Sequence, residues 1–217
     1  MNKSTVVEQI RDTGIVPVVR ATSADEAMRA IEAIRKGGVS VLEITMTVPG
    51  AVRVIEQVCE RFGSDALVGA GTVLDAETAR ACILAGAQFI VSPALDLDTI
   101  ACCRRYAVAI MPGALTPTEV VRAWTAGADF VKVFPAGALG GASYIKALKA
   151  PLPQIELVPT GGVSLKTAAD FIKAGASALG VGADLVDLKA LREGQDNVIT
   201  ERARQFVEIV REARSRV

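Results

Sequence analysis

The 217-residue chain contains no histidine, which excludes Ser-His-Asp and Cys-His nucleophile systems, His-ligated zinc and every imidazole acid or base. Its 24 Lys plus Arg balance 24 Asp plus Glu, leaving no electrostatic footprint for nucleic acid or an anionic membrane. Hydrophobic residues make up 51% but aromatics only 4%, so the interior has to be built from Ala, Val, Ile and Leu; with 19 glycines, that suits close helix-on-sheet packing better than a β-sandwich.

The chain opens on MNKSTVVEQIRDTG, where Glu8 and Arg11 interrupt the apolar run that a signal peptide needs. Val6, Val7 and Ile10 fall at helical spacing and predict a helix able to plug one end of a sheet. Apolar runs of strand length then alternate with amphipathic stretches. They are GIVPVVR (14–20), VSVLEITM (39–46), ALVGAGTV (66–73), FIVSPAL (89–95), AVAIMPGAL (107–115), FVKVFPAG (130–137), IELVPTGG (155–162) and ALGVGADLV (178–186). The longest charge-free stretch, 81–95, is too short for a membrane span and is broken by Gly86, Ser92 and Pro93, so a cytoplasmic protein is expected.

Helix starts are marked between these runs. Ser23 to Glu26 and Thr116 to Glu119 read as capping boxes, the second with Pro117 at the first helical position, and Asp75, Asp96 and Ser164 read as N-caps. A final helix is expected over roughly 199–215. In RKGGVSVLEI, LAGAQFIVSP, TAGADFVKVF and KAGASALGVG a glycine (Gly38, Gly86, Gly127, Gly175) lies between helix end and strand start, at intervals of 48, 41 and 48 residues. Each interval suits two strand–helix units, and glycine there accepts the left-handed conformation that closes a helix. Cys59, Cys82, Cys102 and Cys103 all fall in predicted helices without a C-x-x-C pair, which predicts reduced, buried thiols and no metal site. Eight strands with intervening helices and no linker predict one domain over 1–217, a (β/α)8 barrel of minimal size with the N-terminal helix capping its bottom. The rival, an open doubly wound sheet, lacks a G-x-G-x-x-G after its first strand.

Barrel active sites gather at the C-terminal ends of the strands. Two residues there are out of place. Lys132 shares a strand face with Phe130 and Phe134, where lost hydration favours the neutral amine, the nucleophile that forms a Schiff base with a ketone. The alternative is a lysine snorkelling from a strand end or pairing with a carboxylate. Glu43 sits inside VLEITM on the face with Val41 and Thr45, a costly place for a carboxylate unless it is paired or functional. If the two share the mouth they offer a nucleophile and a proton shuttle without imidazole; otherwise they form a buried structural ion pair. The glycines of PTGGVS and GVGADL suit phosphate binding by backbone N–H groups, although glycine is also a common turn former. Thr72 in GAGTV offers a hydroxyl for a carboxylate, and Arg20 a cationic clamp, although a strand-end arginine is as often solvated.

Together the segments VPVVRA, GGVSVLEITMTVPGA, VGAGTVL, AGAQFIVSP, MPGALTPTE, FVKVFPA, YIKALKAPLP and VPTGGV resemble the class I 2-keto-3-deoxy-6-phosphogluconate (KDPG) aldolase and 4-hydroxy-2-oxoglutarate (KHG) aldolase family over nearly the whole chain. The resemblance implies a pyruvate-forming lyase of sugar-acid catabolism of the Entner–Doudoroff kind, a homotrimer needing no metal or organic cofactor. It implies Lys132 as the Schiff-base lysine, Glu43 as the acid/base acting through a water, and Thr72 on the pyruvate carboxylate. Thr160, Gly161 and Gly162 would lie near the distal phosphate or hydroxyls, with Arg20, Pro93, Phe134 and Gly182 completing the substrate site.

Two positions depart from the common pattern. Thr47 stands where many members have arginine, which leaves Arg20 to take the carboxylate. Ala183 stands where many have a phosphate-binding serine, a loss of about 1 kcal/mol. YIKALKAPLP is also similar to phosphogalactonate aldolases, so the C4 configuration stays open. The competing readings are another phosphate-binding barrel enzyme, an isomerase or thiamine-phosphate-synthase type, which needs no lysine at position 132, and a non-catalytic oligomeric scaffold, which needs neither Lys132 nor Glu43.

Overall fold

The computed structural model describes residues 1–215; the last two residues of the domain expected over 1–217 lie outside the described residues. The elements are α1 (Lys3–Thr13), β1 (Ile15–Val19), α2 (Ala24–Lys36), β2 (Val41–Thr45), α3 (Ala51–Phe62), β3 (Leu67–Gly71), α4 (Ala76–Leu84), β4 (Phe89–Val91) and α5 (Leu97–Arg105). There follow β5 (Ala109–Met111), β6 (Gly113–Ala114), α6 (Pro117–Thr125), β7 (Val131–Val133), α7 (Ala142–Lys149), β8 (Leu157–Pro159), α8 (Ala168–Lys173), β9 (Leu179–Val181), α9 (Leu188–Arg192) and α10 (Asp196–Arg214).

Local chemistry sets most helix boundaries. Ser23, Asp75, Asp96 and Thr116 each accept the backbone N–H three residues on, satisfying a donor that the first helical turn leaves free. Thr116 and Glu119 form the full capping box, with Pro117 opening α6. At Ser23 the expected box is only half made, because the Glu26 carboxylate accepts from Thr22 N instead (2.7 Å). Ser164 is not an N-cap. Its N–H donates to the Thr167 hydroxyl (2.9 Å), which in turn donates to Gly162 O (3.0 Å); the chain spends these residues on a turn, and α8 begins only at Ala168. The four repeated glycines, Gly38, Gly86, Gly127 and Gly175, have φ of 91, 100, 97 and 96°, the left-handed closure that the repeat predicts.

The strands form parallel ladders in two arcs, a six-stranded one in the order β5-β4-β3-β2-β1-β9 and a three-stranded one in the order β6-β7-β8. The run expected as one strand over 107–115 is split at Pro112, which has no N–H to give to a ladder. Its carbonyl still accepts Lys132 N (2.9 Å), and at the other junction Thr160 bridges Gly180. The result is an α/β fold with a curled parallel sheet.

Alternation along the strands divides the core in two. Leu42, Ile44, Val68, Ala70, Val131 and Val133 pack outward against the helices. Val41, Leu67, Phe89, Phe130 and Val158 point the other way and form a separate cluster with Val6 and Ile10 of α1. These residues lie near the strand starts, so α1 covers that end of the curl, as its spacing predicted. Cys82, Cys102 and Cys103 are buried and Cys59 only half-buried, a departure from the expectation of four buried thiols. Burial pushes the thiols of Cys82 and Cys103 up to about 11 and about 12.

Ile10 is fully buried in the inner cluster. Ile10→Ala is expected to cost about 2–5 kcal/mol and to lower the thermal midpoint by roughly 5–15 °C, read by circular dichroism. An unchanged midpoint would mean that α1 does not close the core.

Candidate active site

Lys132 lies mid-strand in β7, between Gly113 of β6 and Val158 of β8. Glu43 lies mid-strand in β2, between Val18 of β1 and Gly69 of β3. The pleat that sends their neighbours to the helices turns both side chains to the concave side of the sheet. There they meet: Lys132 Nζ is 4.0 Å from Glu43 Oε1, and the side chains are 3% and 2% exposed. That separation is too long for a hydrogen bond, and Glu43 Oε1 is buried without any hydrogen-bond partner among the described residues. The Phe134 ring centroid lies 5.4 Å from Nζ, giving the amine an aromatic face on one side.

Glycine makes the room. A Cβ at Gly71 would overlap the Glu43 carboxylate, and one at Gly180 would overlap the Thr160 hydroxyl. One at Gly113 would overlap the Pro93 carbonyl group. Glycine weakens a strand, so its presence at these three strand positions marks places where other groups approach closely.

The remaining candidates are distributed around this pair. Thr160 is buried beside Gly180. Gly161 approaches Pro135 and Gly162 approaches Gly137, so the PTGGV turn packs on the segment that follows β7. Gly137 N donates to Gly161 O (2.9 Å), holding those two segments together. Thr72, directly after β3, has φ of 59°, a left-handed conformation that is rare for a β-branched residue and typical of strained functional sites. Pro93 follows β4 by two residues and supports Gly113. Arg20 is exposed at the end of β1, and a Cβ at Gly182 would lie 3.5 Å from its Nη1. Arg20, Ala183, Val18, Val186, Asp187 and Leu188 line a cavity of about 290 Å³ at the ends of β1 and β9. A larger cleft of about 660 Å³ lies between α2 and α10, away from Lys132.

Thr47 is exposed and its hydroxyl lies 2.6 Å from that of Thr45, which donates to Val19 O (3.1 Å). Glu26, predicted from local spacing as a capping-box residue, joins the loop after β1 to α9 by accepting from Thr22 N and Arg192 Nε. Nothing in local spacing signals a contact across 166 residues.

Electrostatically, burial pushes the Glu43 carboxyl up, and the positive charges of Lys132 and then Arg20 oppose that shift. A carboxyl raised above its unfolded value holds its proton more tightly in the fold. Its contribution to stability is therefore present at acid pH and is lost as pH rises through the folded value.

The chain is similar to known proteins over most of its length. The family model described as "KDPG and KHG aldolase" matches residues 6–202. A 2-dehydro-3-deoxy-phosphogluconate aldolase of Treponema pallidum is 33% identical over 95% of this chain and 98% of its own. A 2-dehydro-3-deoxy-6-phosphogalactonate aldolase of Escherichia coli is 36% identical over 92% of this chain and 95% of its own. Among solved structures, the KDPG aldolase of Legionella pneumophila, with pyruvate captured as a covalent carbinolamine, superposes with a TM-score of 0.84 at 27% identity, covering 94% of this chain and 97% of its own.

Lys132→Met removes the charge that opposes the Glu43 shift, so the Glu43 titration is expected to move still higher, followed by pH-dependent infrared difference spectroscopy of the carboxyl band. A midpoint that stays or falls would show that Lys132 exerts no field on Glu43.

Proposed function

This chain belongs to the KDPG and KHG aldolase family, and from that premise we propose that it is a class I aldolase whose Schiff base forms on Lys132. One observation supports this above the others: a buried amine faces, 4.0 Å away, a buried carboxylate oxygen that has no hydrogen-bond partner among the described residues. A structural ion pair at the same depth would close that gap and satisfy the oxygen.

In the proposed reaction Lys132 Nζ attacks the C2 ketone of a 2-keto-4-hydroxy acid and loses water to give an iminium. Glu43, acting through a water, takes the proton of the C4 hydroxyl. The C3–C4 bond breaks, its electron pair passes into the iminium, and an aldehyde leaves behind an enamine. Protonation at C3 and hydrolysis then release pyruvate and free the lysine. No step needs a metal or organic cofactor. Thr72 and Arg20 would hold the carboxylate, with Pro93 and Phe134 lining the ketone and Thr160, Gly161, Gly162 and Gly182 receiving the distal end.

The substrate proposed is a KDPG-type 6-phospho sugar acid, 4-hydroxy-2-oxoglutarate, or both, giving glyceraldehyde 3-phosphate or glyoxylate beside pyruvate. The second reading is the phosphogalactonate substrate, after the E. coli relative of that name, which is 36% identical to this chain, as is the phosphogluconate aldolase of Dickeya dadantii. We propose further that the two arcs belong to one eight-stranded barrel and one domain over 1–217. The hydrogen bond from Lys132 N to Pro112 O and the Thr160–Gly180 bridge support that closure. The expected assembly is a homotrimer acting in the cytoplasm. Exposed Leu84, Leu97, Tyr106 and Trp124 provide apolar surface for such contacts, and no helix among the described residues is long and apolar enough to cross a membrane.

Incubation with pyruvate and borohydride is expected to leave a reduced pyruvyl adduct on Lys132, located by peptide mass spectrometry. Wild-type protein with no adduct on any lysine would sink the assignment. Glu43→Gln is expected to retain the adduct yet lose about 10²–10⁴ in kcat, followed by pyruvate release from KDPG, its galactonate epimer and 4-hydroxy-2-oxoglutarate.

A further inference from the structure

Arg20 is the one proposed substrate-binding side chain that carries a charge, and among the described residues its guanidinium makes no hydrogen bond or ion pair. A free, flexible cation loses entropy when it is ordered on a ligand, so its usefulness depends on how firmly its backbone is held. That backbone ends β1 and runs directly into a polar cluster. Glu26 Oε2 accepts from Thr22 N (2.7 Å) and from Thr22 Oγ1 (2.8 Å). Its other oxygen accepts from Arg192 Nε on α9 (2.6 Å), and Arg192 Nη2 also donates to Thr22 Oγ1 (3.1 Å). One turn along α2, Arg29 donates to Leu191 O (2.7 Å) and pairs with Asp196. Glu26 is largely buried, whereas the Arg192 side chain is 55% exposed.

The two ends of this cluster continue the two sides of the cavity at the strand ends. Val18 and Arg20 line one side, just before Thr22, and Ala183, Val186, Asp187 and Leu188 line the other, leading into α9 and Arg192; a Cβ at Gly182 would lie 3.5 Å from Arg20 Nη1.

We propose that Glu26 and Arg192 are positioning residues that clamp the β1–α2 loop to α9 and so set Arg20 opposite Gly182 for the anionic end of the substrate. This rests on the aldolase reading and deepens it. The clamp acts mainly on binding: among the described residues neither Glu26 nor Arg192 bonds to Lys132 or Glu43, and its one route to Glu43 is through Arg20, whose charge opposes the Glu43 shift less than that of Lys132. Arg192 holds the Glu26 carboxyl down to about 2, so the clamp stays ionised throughout the neutral range.

Arg192→Ala tests this with little risk to folding, because that side chain is the more exposed partner. With KDPG and 4-hydroxy-2-oxoglutarate as substrates, KM is expected to rise about tenfold while kcat stays within about twofold, the pattern of lost uniform binding. Glu26→Gln should behave alike, and Arg192→Lys should recover part of the loss by keeping the charge without the planar fork. The decisive readout is the double-mutant cycle. In an Arg20→Ala background, Arg192→Ala is expected to add almost nothing, because the group it positions is gone. An unchanged KM in Arg192→Ala, or effects of the two substitutions that simply multiply, would overturn the clamp. Wild-type protein that fails to trap pyruvate on Lys132 would instead overturn the aldolase reading, and the clamp's role with it.

Discussion

The structure is organised around two ionisable side chains turned to the concave side of a parallel sheet. Removing an ammonium and a carboxylate from water costs several kcal/mol each, and a 4.0 Å separation, with the oxygen lacking a hydrogen-bond partner among the described residues, returns only part of it. The surrounding fold offsets the remainder. Beneath the pair, Phe89, Phe130, Leu67, Val41 and Val158 form an apolar layer closed by Val6 and Ile10 of α1. On the outer face the helices bury Leu42, Ile44, Val131 and Val133 beside the two charged positions on their strands. The strands holding the charges are thus fixed from both sides, and the pair cannot relax toward solvent without dismantling the packing of its own strand neighbours.

The unusual composition follows from the same constraint. A concave surface that carries a lysine, a glutamate and their neighbours has little free volume, so the facing strand positions have to be small. Gly71 leaves space for Glu43, Gly180 for Thr160 and Gly113 for the Pro93 carbonyl group. The strain at Thr72, held at φ of 59° just after Gly71, falls in the same crowded rim. These three of the chain's 19 glycines are therefore tied to the close approaches around the site.

Local residues made much of this legible. The period-two alternation identifies the faces of β2 and β7, and hence the two misplaced charges, without any knowledge of the partner strand. The glycine repeat identifies helix closures because a left-handed φ is a property of one residue. Legibility failed where a residue had two local options. Ser164 looks like a cap, but the Thr167 hydroxyl turns it into part of a separate loop. Glu26 looks like half of a capping box, but Thr22 and Arg192 take its carboxylate. Pro112 divides a run that hydropathy alone reads as continuous.

By itself the sequence determined the kind of chemistry open to this protein. With no histidine, proton transfer had to fall to other groups, and a lysine and a glutamate on apolar strand faces were the residues whose burial needed a reason. Family membership could likewise be read from the ordered motifs. Only the tertiary structure decided that these two charges meet, how far apart they stand, and that Glu26 and Thr22, just past Arg20, are bonded by Arg192 from the far end of the chain. Each of those depends on the curl of the sheet, which brings β2 to face β7 and β1 beside β9. That curvature is the sum of twist and packing over all the strands, and no local stretch of sequence encodes it.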